Sequence, residues 1–116
     1  MESNFEFGEI KISNDVISSI VAIAVEETEG FKMVKTLVDK VMSKNQSVKV
    51  TFTEDEGLIV SVSVNVKYGL NIHEVAPNVQ DNIISNVEVM TGLKVKEINI
   101  NVDGLYFEQQ PQTQSK

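Results

Sequence analysis

The sequence predicts an α+β domain: a two-layer sandwich in the order β-α-(α)-β-β-α-β, with a mostly antiparallel four-stranded sheet and the helices on one face. Three observations predict it. Residues 48–53 and 58–67 alternate apolar and polar side chains at the strand period and flank the turn Asp55-Glu56-Gly57. Residues 16–24 and 72–90 repeat apolar side chains at the helical period. The alternation in the strands leaves one side apolar, so one side is covered and the other meets water. A central hairpin between helices is the split-βαβ pattern.

The elements follow in order. Phe5, Phe7, Ile10 and Ile12 among Glu6, Glu9 and Lys11 predict a first strand, with a phase change at Gly8 that reads as a bulge. Ser13-Asn14-Asp15 supplies cap side chains for a helix bearing Val16, Ile17, Ile20, Val21, Ile23 and Ala24, and Gly30 ends it. Glu26, Glu27 and Glu29 oppose the macrodipole there, so that end is expected to fray. A second helix is predicted over 31–44, where Val34, Leu37, Val38, Val41 and Met42 share a face and Lys32, Lys35, Lys40 and Lys44 fill the gaps.

Val48, Val50 and Phe52 form the next strand, and Leu58, Val60, Val62, Val64 and Val66 the one after it. Tyr68-Gly69 breaks that strand. Asn71 with Glu74 resembles a capping box in front of a long helix lined by Ile72, Val75, Ala76, Val79, Ile83, Val87 and Met90. Pro77 falls within its first turns, and Gly92 closes it. A last strand opens at Leu93 and Val95, slips phase at Lys96-Glu97, and continues through Ile98, Ile100 and Val102 until Gly104 turns the chain. Residues 1–107 thus make one domain, and the Gln-rich 108–116 reads as a disordered polar tail.

Composition narrows the function classes. The chain has 116 residues, 17 acids, 10 lysines, no arginine and a net charge of −7. Such a balance disfavours nucleic acid, whose phosphates and guanine edges are met by Arg and Lys. With no Cys there is no disulfide, thiolate metal site or Cys nucleophile, and with one His no multi-histidine metal site within one chain. Residues 1–7 carry neither a basic nor an apolar segment of a leader peptide, and the longest apolar run, 20–25, is far short of the ~20 residues that cross a bilayer. The expected place is the cytoplasm. Charge is unevenly spread: residues 1–30 carry one Lys against seven acids, and residues 31–50 five Lys against one Asp.

Candidate chemistry is sparse. His73 beside Glu74 is an acid–base pair by type, but it sits at a helix cap without a nucleophile. Glu54, Asp55 and Glu56 lack the alternation of a calcium loop. Glu27 lies on the apolar stripe of the first helix but near its end. The six glycines are isolated and build no phosphate cradle. No catalytic, cofactor or metal residue is assigned, and no cofactor is expected.

Two surfaces carry more content. Lys32, Lys35, Lys40 and Lys44 flank the second apolar stripe, a pattern that fits an anionic surface but equally a core helix with a solvated face. Thr51, Thr53, Ser61, Ser63, Asn65, Asn99 and Asn101 point away from the core, and apart from Lys49 and Lys67 that face is uncharged. Such a face desolvates at little cost, which suits association.

The run Gly8-Glu9-Ile10-Lys11-Ile12-Ser13 before Val16 and 20–25 resembles the opening of the alkaline-shock and general-stress protein family of Gram-positive bacteria. Val66-Lys67-Tyr68-Gly69, Glu74-Val75-Ala76, Val79-Gln80, Met90-Thr91-Gly92-Leu93, 95–102, Gly104 and Phe107 resemble its second half. The resemblance spans 7–107. It implies a short, core-only, non-enzymatic cytoplasmic protein of cell-envelope stress homeostasis, acting by self-association and by binding a partner, including a membrane-anchored protein. The interaction surface expected from the residues is Ser61, Ser63, Asn65, Asn99 and Asn101 with Lys32, Lys35, Lys40 and Lys44. The alternative is a small-ligand-binding regulator of lipid metabolism.

Overall fold

The structure is a computed structural model and describes residues 2–5, 8–34, 47–55 and 57–107. Its elements are β1 (Glu2–Phe5), β2 (Gly8–Lys11), α1 (Asn14–Glu27), β3 (Phe31–Met33), β4 (Val48–Phe52), β5 (Gly57–Lys67), α2 (Ile72–Thr91) and β6 (Lys94–Tyr106).

The run of β-branched residues in β5 makes it the centre of the four-stranded sheet. Along one edge it pairs antiparallel with β4 over 58–62 and with β3 over 64–66, so these two short strands lie end to end. Along the other edge it pairs parallel with the whole of β6, which α2 carries back across the sheet. Two of the three pairings are antiparallel, as expected. Leu58, Val60, Val62, Val64 and Val66 are buried on one side against Val79, Ile83 and Val87 of α2 and Ile17, Val21 and Ala24 of α1. Each Val, Leu or Ile among them contributes about 1.5–3 kcal/mol by leaving water.

The caps act as their residues suggest. The Ser13 hydroxyl accepts the Val16 N–H at 3.3 Å. Asn71 Oδ1 accepts the N–H groups of His73 and Glu74 at 3.1 and 3.4 Å. Helix α2 begins before Pro77 and runs through it, which leaves the His73 carbonyl without an i+4 donor. Gly92 ends the helix at φ 75°. The phase slip at Lys96-Glu97 is a bulge: Leu58 pairs with Val95 and Ile59 with Glu97.

Three expectations are corrected. First, the N-terminal strand is not part of the four-stranded sheet. β1 and β2 form a separate antiparallel pair with Phe5 opposite Gly8, so Gly8, at φ 140°, opens β2 and is not a bulge within one strand. Second, the fourth strand is β3, where a helix was expected to start. Gly30, at φ 92°, redirects the chain out of α1, and Phe31 and Met33 turn into the core while Lys32 turns out, the period of a strand. The rest of the predicted second helix, with Lys35, Lys40 and Lys44, lies outside the described residues, as does the tail 108–116. Third, β6 does not turn at Gly104. A second bulge at Asp103 absorbs the slip, and pairing continues to Tyr106 opposite Lys67.

The C-terminal end of α1 is pinned by polar groups. Thr28 is buried; its hydroxyl donates to the Ala24 carbonyl and accepts from Asn82 Nδ2 of α2, each at 2.7 Å. A Glu26 carboxylate oxygen accepts the Met33 N–H at 2.8 Å. The acids expected to loosen this end include one that fastens β3 to it.

Candidate interaction surface

Since Leu58 through Val66 alternate into the core, Ile59, Ser61, Ser63, Asn65 and Lys67 line the opposite face of the sheet. Register decides what flanks each. Ser61 lies between Lys49 and Asn99, and Ser63 is opposite Asn101. Asn65 lies between Lys32 and Gly104. A Cβ at Gly104 would stand 3.0 Å from Asn65 Oδ1, so the glycine leaves room for the amide. Ser61, Ser63, Asn65, Asn99 and Asn101 therefore share one surface. The three on β5 are half-buried between strands, and the two asparagines of β6 are exposed.

Ser63 also marks the seam between β3 and β4. Its N–H donates to the Ser47 carbonyl at 2.9 Å and its carbonyl accepts the Val34 N–H at 3.4 Å. The Ser47 hydroxyl donates to the Val34 carbonyl at 2.6 Å, which joins the two chain ends across the seam.

The face carries more charge than the alternation alone suggested. Lys32 belongs to it, on a strand rather than a helix, and Lys49 and Lys67 flank the neutral patch. Glu97 is the acid that register places there, opposite Ile59. Lys32 Nζ sits 4.7 Å from the centroid of Tyr106, a cation–π contact. Tyr68 and Phe107 stack beside it with centroids 4.9 Å apart. Thr51 faces outward opposite Ile59. Thr53 instead closes the β4–β5 turn, where its Oγ1 accepts the Gly57 N–H at 2.8 Å.

The remaining candidates occupy structural places. His73 is exposed in the first turn of α2. Glu27 is exposed at the end of α1. Asp55 is paired with Lys96 Nζ at 2.6 Å, and that hydrogen bond, then one from the Thr53 hydroxyl, lowers its carboxyl to about 2. Glu56 lies outside the described residues. Among the described residues no three His, Asp or Glu side chains gather as a metal site, and no helix is long and apolar enough to cross a membrane. The periodicity missed Lys32 and Tyr106 as neighbours; the apolar–charged–apolar triplet Phe31-Lys32-Met33 was the available signal.

Comparison with known proteins gives the chain its relatives by sequence. A profile of the alkaline-shock family, described by a cell envelope-related function, matches residues 2–107. The uncharacterized protein YqhY of Bacillus subtilis is 32% identical over 112 residues, covering 90% of this chain and 82% of its own. An uncharacterized protein of Streptococcus pyogenes is 30% identical over 116 residues, covering 94% and 88%. YloU of Bacillus subtilis, also uncharacterized, is 28% identical over 113 residues, covering 90% and 94%. Among solved structures, a zinc-form MamM CTD aligns at a TM-score of 0.47 and 9% identity over 84% of this chain and 88% of its own, a likeness too loose to carry an argument.

Proposed function

The chain belongs to the alkaline-shock protein family, of cell envelope-related function, and from that premise we propose that it is a non-enzymatic interaction or scaffold protein of the cytoplasm. It works by self-association and partner binding through the outer face of its sheet, and it reaches the envelope through a membrane-anchored protein partner. One observation supports this reading above the others. Ser61, Ser63, Asn65, Asn99 and Asn101 form a neutral patch on a chain of net charge −7. Lys32, Lys49, Lys67 and Glu97 border the patch, and its centre lacks the charge that ordinarily discourages stacking and pairing on an exposed sheet. Short side chains there also lose little rotamer entropy when covered.

Sedimentation of wild type and of Ser63→Lys with Asn101→Lys, at matched concentrations, tests it. Both side chains point away from the core, so the fold is retained. Two desolvated like charges weaken association. Equal association of the two proteins, or a monomeric wild type, overturns the reading.

A further inference from the structure

The β1–β2 hairpin pairs with itself and, among the described residues, has no comparable packing against α1, α2 or the four-stranded sheet. Strands of four residues in an isolated hairpin are marginally stable in water, so such an arm gains order from whatever it docks on. Its one apolar residue with a described side chain, Ile10, is 57% exposed.

The same molecule holds a matching vacancy in hydrogen bonding. Among the described residues, strand β6 pairs on one side, with β5. Over its first part, side chains of α2 meet the backbone: a Glu88 carboxylate oxygen accepts the Val95 N–H at 2.9 Å, and Gln80 Nε2 donates to the Ile98 carbonyl at 3.3 Å. Among the described residues, no side chain hydrogen-bonds to the backbone of 99–105. Val102 and Leu105, on the helix side of that stretch, are 38% and 55% exposed. A row of open backbone groups beside uncovered apolar side chains is the geometry of strand addition.

We propose that β2 of a second copy adds to β6 along 99–105, with Ile10 seated beside Val102 and Leu105. Charge favours this occupant. Residues 1–11 carry Glu2, Glu6 and Glu9 against Lys11, whereas the adjoining corner of the sheet carries Lys32 and Lys67 against Asp103. The inference rests on the self-association reading above and names the segment that the second copy supplies.

Full-length variants test it. Ile10→Asp and Leu105→Asp each place a charge in the proposed contact while lying outside the core, so the folded state persists and association weakens at least tenfold by sedimentation. The chain has no cysteine, so Ile10→Cys mixed with Leu105→Cys forms a mixed disulfide only between molecules. It should form in severalfold excess over that from Ile10→Cys mixed with Val89→Cys, a control 81% exposed on α2. Unchanged association of both Asp variants, or equal cross-linking in the two mixtures, overturns the arm exchange. If Ser63→Lys with Asn101→Lys dissociates the protein and Ile10→Asp does not, the surface reading stands and the arm exchange falls. A monomeric wild type overturns both.

Discussion

The two halves of β6 share one partner strand and differ in almost everything else. From Lys94 to Ile98 the strand is held from three directions: β5 alongside, Glu88 and Gln80 from the helix above, and Asp55 from the β4–β5 turn through Lys96. Val95 is buried there. From Asn99 to Leu105, among the described residues, hydrogen bonds to the backbone come from β5 and no side chain of α2 adds one, and exposure of the inward side chains rises to 55% at Leu105. Both halves obey the same alternation. Whether an inward side chain is buried depends on what the helix reaches, and α2 reaches β6 near its beginning.

Three substitutions break or sharpen this contrast. The largest effect comes from removing what both halves lean on. Val62 is 1% exposed in the middle of β5, and Val62→Asp buries an unpaired charge; loss of about 4 kcal/mol or more is expected, enough to unfold a domain of this size. Urea unfolding of the variant measures it, and near-native stability would show that the register is different. A middle effect comes from the guarded half alone. Glu88→Ala leaves the Val95 N–H without its carboxylate acceptor at about 1–2 kcal/mol, and amide exchange should quicken at Val95 but not beyond Asn99. Uniform quickening along β6 would mean that the two halves open together.

The smallest effect concerns the tie to the turn. Asp55 is held at about 2 in the folded chain against an ordinary 3.8, so the tie favours folding above pH 3.8 and that contribution fades as the pH falls toward 2. Both partners are well exposed, and the effect on stability is correspondingly slight. Lys96→Ala should raise the Asp55 carboxyl toward 3.8, not all the way, because the Thr53 hydroxyl still donates to it. Carboxyl NMR titration of the two proteins reads the shift directly.

How much of this was legible beforehand follows the length of each pattern. The eleven residues of β5 announce both the strand and its buried side, and the slip at Lys96-Glu97 announces a bulge, because hydrophobic alternation is a direct record of burial. Asn71 and Gly92 announce the ends of α2, since only a few side chains satisfy a helix terminus. The three residues of β3 are too short to outweigh the helical spacing that follows them, so Lys32 was assigned to a helix and its place beside Tyr106 was hidden. The hairpin at the N-terminus has the same alternation as a sheet strand; alternation says which side is apolar but not which strand lies alongside. The sharing of Ser61, Ser63, Asn65, Asn99 and Asn101 on one surface was readable because period two fixes the side regardless of strand order.

The seam at Ser63 has a further consequence. Val34 and Ser47 are joined by a 2.6 Å hydrogen bond and both bond to the Ser63 backbone, so one residue of β5 serves two strand ends: its N–H holds the side of β4 and its carbonyl the side of β3. Ser63 is thus a keystone of the sheet: Ser63→Pro removes the N–H that the Ser47 carbonyl accepts and uncouples that end of β4 from β5, whereas a substitution that alters only the side chain keeps both backbone bonds.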